Sequence, residues 1–226
     1  MFAMTRTLAE SRVAVRRTDP TLSWGIGAHP GRADALAQWD RGECQRQLEH
    51  TFLVGEVGLD RQGSKETQRN VFRTVLEVTA EAGVLLSIHS TGRHGDVLDL
   101  LRQFPQRGAI LHWFTAEAPF VERARDLHCF FSVNAAMTDE QLLRIPPDRM
   151  LPETDFPSSR RRTRATRPGD IMHLEQRLSG LLAKPADQIR ASWYRNLGNL
   201  AEQAGASERL SPQLSVAIDI ARGHSA

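Results

Sequence analysis

Seven short aliphatic or β-branched runs, each followed by a stretch of helical periodicity, predict an α/β chain of the TIM-type (β/α)8 barrel class with about seven strands. The acids and imidazoles that cluster where the apolar runs end support that class, while the 226 residues fall a little short of the about 250 typical of such barrels. In order, the strands are expected at 2–5, 22–28, 52–58, 84–89, 109–113, 129–133 and 150–155. Helices are expected between them at 33–50, 65–82, 95–104, 119–127 and 139–143, each placed as a crossover between parallel strands requires. The clearest is 65–82: Ser64 is its N-cap, Val71, Phe72, Val75, Leu76 and Val78 lie on or near one face, and Gly83 ends it. After the last strand come helices at 171–182 and 186–204, the second opened by Pro185, which suits a first turn. The segment 158–169 reads as a loop and carries Arg160, Arg161, Arg162, Arg164 and Arg167. One domain over 1–205 and a tail over 206–226 follow, the tail an extra helix at best with 223–226 loose.

Composition removes several classes. At 40% hydrophobic and 25% charged residues, disorder, collagen-like structure and a disulfide scaffold are all disfavoured. No apolar run approaches the roughly 18–20 residues of a membrane span, and residues 1–10 have neither a basic n-region nor a long apolar stretch. A cytoplasmic chain with no membrane association is expected, and Cys44 and Cys129, with no CxxC partner, suit a reduced one. The formal charge of +2 does not by itself indicate nucleic-acid binding. Of the 29 bases only Lys65 and Lys184 are lysine. A GC-rich coding sequence is the bland source of that bias, although arginine is also the better side chain for bidentate phosphate contacts.

In parallel α/β folds the ligand side lies at the carboxyl ends of the strands, so polar residues that terminate apolar runs share one rim. Here the ends read Gly27-Ala28-His29-Pro30, Gly55-Glu56-Val57-Gly58-Leu59-Asp60, Ser87-Ile88-His89, Leu111-His112-Trp113 and Glu153-Thr154-Asp155. A lone histidine at a strand end is usually structural, and His94 and His128 are expected to be so. One Glu, two His and one Asp from four strands (Glu56, His89, His112, Asp155) form instead a ligand set for a hard cation or zinc. Packing does not explain them, because a charge buried without a partner costs several kcal/mol. The arginines of 158–169 would overlook the same mouth, as phosphate contacts or as a solvated loop. Trp113 and Phe114 would stack on a base or, as aromatic residues beside a barrel strand more often do, join the core.

These motifs, with Gln68 and Phe72, His112-Trp113-Phe114, Glu153-Thr154-Asp155-Phe156-Pro157 and Asn196 in register, resemble the TatD-type metal-dependent deoxyribonucleases, which belong to the amidohydrolase-like barrels. The likeness spans roughly 24–200. The phrases His112-Trp113-Phe114 and Asp155-Phe156-Pro157 look closer to the TatD-like proteins of the Qat anti-phage operons. The resemblance implies two divalent ions (Mg2+, Mn2+ or Zn2+) per site in the full family pattern. It implies that Glu56 bridges them, that His89 and His112 bind one, and that Asp155 binds the other and handles the proton of the attacking water. His29 and Glu153 would contact substrate phosphate, water or a ligand, and Arg160, Arg161 and Arg162 would hold DNA, single-stranded or at its ends. Protein partners are not legible.

The sequence departs from the family at one point. The family pattern begins with a strand ending in His-x-His, and the eight histidines here, at 29, 50, 89, 94, 112, 128, 173 and 224, include no such pair. The strand at 2–5 resembles the family's second, so the barrel is expected to be N-terminally incomplete. A reading frame begun too late explains this better than a shortened relative, since a barrel lacking one strand leaves two unpaired edges. The alternatives left open are an amidohydrolase-like enzyme acting on a small ester, lactone or amide, and a catalytically inactive nucleic-acid-binding or complex-forming subunit.

Overall fold

Strands pair in parallel in the order in which the chain makes them. In the computed structural model, which describes residues 1–223, β1 (Phe2–Met4) pairs with β2 (Ser23–Gly25). A second sheet holds β3 (Leu53–Gly58), β4 (Leu85–His89), β5 (Ala109–Leu111), β6 (Phe130–Val133) and β7 (Met150–Pro152), in that order. A parallel bridge between Ile26 and Val54 joins the two ladders; the Ile26 N–H donates to the Leu53 carbonyl at 3.0 Å and the Gly55 N–H to that of Ile26 at 2.8 Å. All seven expected strands are present, in the sequential parallel order of a (β/α)8 wall. Among the described residues β7 and β1 do not pair.

Successive side chains on a strand point to opposite faces, and the two faces here have different fates. One carries Leu86, Ile88, Leu111, Phe131 and Val133 into a core shared with α4 (Lys65–Thr79), α5 (His94–Gln103), α6 (Ala118–Asp126) and α7 (Asp139–Arg144). The other begins, at the amino ends of the strands, with Leu53, Leu85, Ile110, Phe130 and Leu151, packed with Leu197, Leu200 and Ile218. Two and four residues further along the same face come Ser87 and His89, His112, Ser132 and Asn134, and Glu153 and Asp155. An apolar floor thus gives way to a polar layer at the carboxyl ends.

Several elements differ from the expectation. The helix expected at 33–50 is two, α2 (Ala33–Ala37) and α3 (Arg41–Leu48), because the Asp40 side chain accepts from the Glu43 N–H at 2.6 Å and starts a new helix. Ser64 does cap α4, but α4 ends at Thr79, before Gly83. α1 (Leu8–Ala14) was not anticipated: seven residues capped by Thr7 are too few for periodicity to stand out. The segment 158–169 is not wholly loop, since α8 (Arg160–Thr163) forms one turn. After α9 (Met172–Leu181) and α10 (Ala186–Ala204), the expected tail helix forms as α11 (Pro212–Arg222). It is packed so closely on α10 that a Cβ at Gly198 would lie 2.6 Å from Ile218. Gly223 caps α11; the rest of the end expected to be loose, 224–226, lies outside the described residues. Among the described residues no helix is long and apolar enough to cross a membrane.

Among the described residues strand β7 has β6 on one side and no strand on the other, and α10 covers that edge. Asn196, 4% exposed, donates its amide to the carbonyls of Pro147 and Met150, both at 2.8 Å. Replacing it with alanine leaves two acceptors without these donors in a closed environment. Asn196→Ala is expected to cost about 1–3 kcal/mol, read as a lower urea midpoint with the m-value unchanged.

Candidate metal centre

Glu56 is aimed into the mouth by an irregularity in its own strand. The register between β3 and β4 shifts between Val54 and Val57, a bulge that re-aims a side chain which strict alternation would send elsewhere. Gly58 completes the fit: it sits at φ +131, and a Cβ there would lie 2.1 Å from the His89 carbonyl oxygen. Only glycine lets β3 approach β4 so closely at the level of the site.

Three imidazoles surround the Glu56 carboxylate. His89 Nδ1 lies 2.5 Å from Oε1, His112 Nε2 3.7 Å from Oε1, and His29 Nε2 3.6 Å from Oε2. Burial pushes the Glu56 carboxyl up, but the charge of His112 and the hydrogen bond from His89 outweigh it and bring the pKa down to about 2. Each of two histidines is held from behind by a second carboxylate. Asp60 Oδ2 lies 2.6 Å from His89 Nε2, and Glu153 Oε2 lies 2.8 Å from His112 Nδ1. Such outer carboxylates fix the ring and its tautomer and leave the opposite nitrogen for a cation. Burial pulls His112 down, yet Glu153 and Glu56 more than reverse it and raise its pKa to about 10. His29 behaves differently. Its Nδ1 accepts the Gly31 N–H at 3.0 Å, which leaves the ring proton on Nε2, facing Glu56, and burial lowers its pKa.

The residues expected at the site are gathered here, in unequal roles. Ligand atoms of His29, Glu56 and His89 fall within 4.8 Å of one another. In this tautomer His29 Nε2 is a hydrogen-bond donor, and His112 Nε2, 3.7 Å from Glu56 Oε1, is the further nitrogen beside the cluster. Glu153, expected to meet substrate, water or a ligand, has both oxygens engaged: Oε2 accepts from His112 and Ser132, Oε1 from Asn134. Asp155 stands at φ +45, a left-handed conformation that costs a non-glycine residue about 1–3 kcal/mol and recurs at functional sites. Its Oδ2 accepts from Ser159 Oγ at 2.5 Å, and burial raises its pKa against that bond. The Arg162 guanidinium lies 4.6 Å above the Trp113 ring, which brings α8 to the mouth, while Arg160 and Arg161 are exposed on the same turn. Phe114 is core, packed on Phe131 and His94. His94 is structural, bonded to Ser90 Oγ.

Sequence reasoning assigned no role to Asp60, Ser132 or Asn134. Asp60 could have been found, since it ends the Glu56 motif. Ser132 and Asn134 differ in sequence from any other polar residue only by the strand alternation that turns them inward. Gln68 is fully buried and ties the loops together, accepting from the Asp60 N–H at 2.9 Å and donating to the Pro30 carbonyl at 3.1 Å.

Compared with protein-family models, residues 2–201 match the family described as TatD related DNase. The chain belongs to that family. An uncharacterized metal-dependent hydrolase, TatD of Mycobacterium tuberculosis, is 28% identical over 175 residues, covering 67% of this chain; the chain spans 66% of that relative's length. A 3'-5' ssDNA/RNA exonuclease TatD of Erwinia tasmaniensis is 26% identical over 215 residues, 85% of this chain and 83% of the relative. In fold, the chain is similar to YjjV, a TatD homologue of Escherichia coli K12, with TM-score 0.72 at 20% identity over 88% of this chain and 85% of that one.

For this TatD-family centre the coupling of His112 to Glu153 is directly measurable. In Glu153→Gln the His112 titration, followed by NMR of the imidazole in EDTA, is expected to move down from about 10. A raised histidine pKa stabilises fully below the unfolded value of 6.5 and ceases to do so as pH rises through the folded one. The parent's stability margin over the variant is therefore expected to shrink as pH rises toward about 10 and to be gone above it. A midpoint left unchanged by the substitution would remove Glu153 from this role.

Proposed function

We propose that this chain hydrolyses phosphodiester bonds in nucleic acid, acting on single-stranded DNA or on DNA ends. The observation that supports this best is the Glu56 carboxylate set among three imidazoles and two supporting carboxylates at the carboxyl ends of the strands. The nitrogen and oxygen donors of Glu56, His89 and His112 suit a divalent ion, Mg2+, Mn2+ or Zn2+, and Glu56 and Asp155 are the carboxylates offered to a second. Divalent ions there would lower the pKa of water and stabilise the attacking and leaving oxygens of an in-line displacement.

The remaining roles belong to side chains. Asp155, whose pKa burial raises, is suited to take the proton of the attacking water. His29 donates from Nε2 to a phosphate oxygen. Glu153 and Asp60 position the rings of His112 and His89. Arg160, Arg161 and Arg162 hold the phosphate backbone. A nuclease is also what the name of the Erwinia relative describes. Within the family, His112-Trp113-Phe114 and Asp155-Phe156-Pro157 support a place beside the TatD-like proteins of Qat anti-phage operons.

A second reading, a nucleic-acid-binding subunit without turnover, is favoured by one observation, the lack of a His-x-His pair in the sequence as it stands. One assay separates the two. Release of nucleotides from single-stranded DNA is expected with a divalent ion and to be lost in EDTA. Glu56→Ala and Asp155→Ala are each expected to lower the rate at least about a hundredfold, the scale of about 3 kcal/mol in the barrier. Retention of DNA without cleavage under every divalent ion tried would favour the second reading, and full activity of both variants would overturn the site.

A further inference from the structure

Beside the metal centre lies a cleft of about 680 Å³, walled on one side by the loop that follows β6 and on the other by α8, with α9 beyond. Its charged and imidazole lining consists of Asp139, Arg162, Arg164, His173 and Arg177. Asp139, the one acid among them, is neutralised by Arg177 at 2.5 Å. The same guanidinium donates to the carbonyls of Ala135 at 3.2 Å and Met137 at 2.6 Å. Arg177 thus engages three acceptors on that wall. What remains toward solvent is positive: Arg162 and Arg164 are exposed, and among the described residues neither guanidinium has an ion pair or hydrogen bond.

One of the two has a fixed guanidinium, and the other a defined backbone. Arg162 is stacked over Trp113, the residue after His112, so its guanidinium is held beside the metal centre without being neutralised. Arg164 ends α8 at φ +59, ψ +16, a left-handed turn that points the chain away from the helix. No acid occurs anywhere in 158–169. Unpaired positive charge set in a concave wall suits an anion. A second anion site next to a first suits a ligand with successive phosphates.

We propose that this cleft is a binding channel for a nucleic-acid strand, in which Arg162 and Arg164 hold backbone phosphates next to the one at the metal centre. The inference rests on the phosphodiesterase reading for the place of the scissile phosphate and adds where the strand runs. It predicts a preference for polynucleotides over mononucleotides, because thymidine 5'-monophosphate offers a single phosphate and cannot fill both places.

The test is binding without turnover: fluorescence anisotropy of labelled (dT)12 with the full chain in EDTA, over a series of KCl concentrations. Arg164→Asn removes the charge with a residue that tolerates the left-handed backbone, and Arg162→Gln removes the other. Each is expected to weaken (dT)12 about tenfold, as loss of a charged hydrogen bond does. Each is also expected to lower the slope of log K against log salt by about 0.7, the share of one phosphate contact on a single strand. Arg16→Gln, an equal change of charge at an exposed arginine just past α1, is expected to leave both unchanged. Parent-like binding by both cleft variants, or an equal loss in Arg16→Gln, would overturn the channel. Failure of the nuclease reading shows up separately, as a parent that binds (dT)12 in this manner yet releases no nucleotide with any divalent ion.

Discussion

The Glu56 carboxylate lies 2.5 Å from one imidazole and 3.6 and 3.7 Å from two others, and a charge so placed has to be kept in register by everything around it. Moved slightly, it would be a buried ion without partners, at several kcal/mol. Three features prevent that. The bulge at the middle of β3 turns the side chain inward, the missing Cβ at Gly58 lets β4 close on it, and the Ala28 N–H donates to the Glu56 carbonyl at 3.1 Å, pinning the chain after β2. His29, one residue later, is therefore placed by Glu56 itself.

The order then passes outward. Asp60 behind His89 and Glu153 behind His112 make an alternating row of acid and imidazole with Glu56 at its centre. Each end of the row is tied down by neutral polar groups: Asp60 through Gln68 at its backbone, Glu153 through Ser132 and Asn134. These occupy the level where the interior of the strands changes from aliphatic to polar. Below it, Leu53, Leu85, Ile110, Phe130 and Leu151 give the row a rigid floor. Repacking there would be felt as a displacement of the side chains above, because close-packed interiors transmit strain.

How much of this was legible in the sequence depended on whether the signal was local. Seven strands and the positions of Glu56, His89, His112 and Asp155 followed from apolar runs ending in groups that have no reason to be buried. The N-cap at Ser64 was equally local. What escaped was set by neighbours far along the chain. Ser132 and Asn134 matter only because Glu153, 21 and 19 residues away, faces them. The proton position of His29 is decided by the Gly31 N–H, a turn geometry that no residue type announces. The break after α2 could have been read from Asp40, a good N-cap inside a stretch otherwise taken as one helix; periodicity alone overrode it.

The charges around the centre also explain why the arginines stand where they do. Taken as ionised, Glu56, Asp60, Glu153 and Asp155 bring four negative charges against His89 and His112, both raised in pKa. The count is two negative. One divalent ion in place of the two imidazole protons leaves it there, and two divalent ions bring it to zero. On the phosphodiesterase reading, the net charge of the centre therefore offers a phosphodiester no long-range attraction. Fixed positive charge on the rim would supply it, and the segment that follows Asp155 carries five arginines and no acid. The formal charge of the whole chain, +2, conceals this division: most arginines elsewhere are spent on carboxylates or backbone carbonyls, whereas those of α8 and its C-cap face the solvent from which a polyanion would arrive.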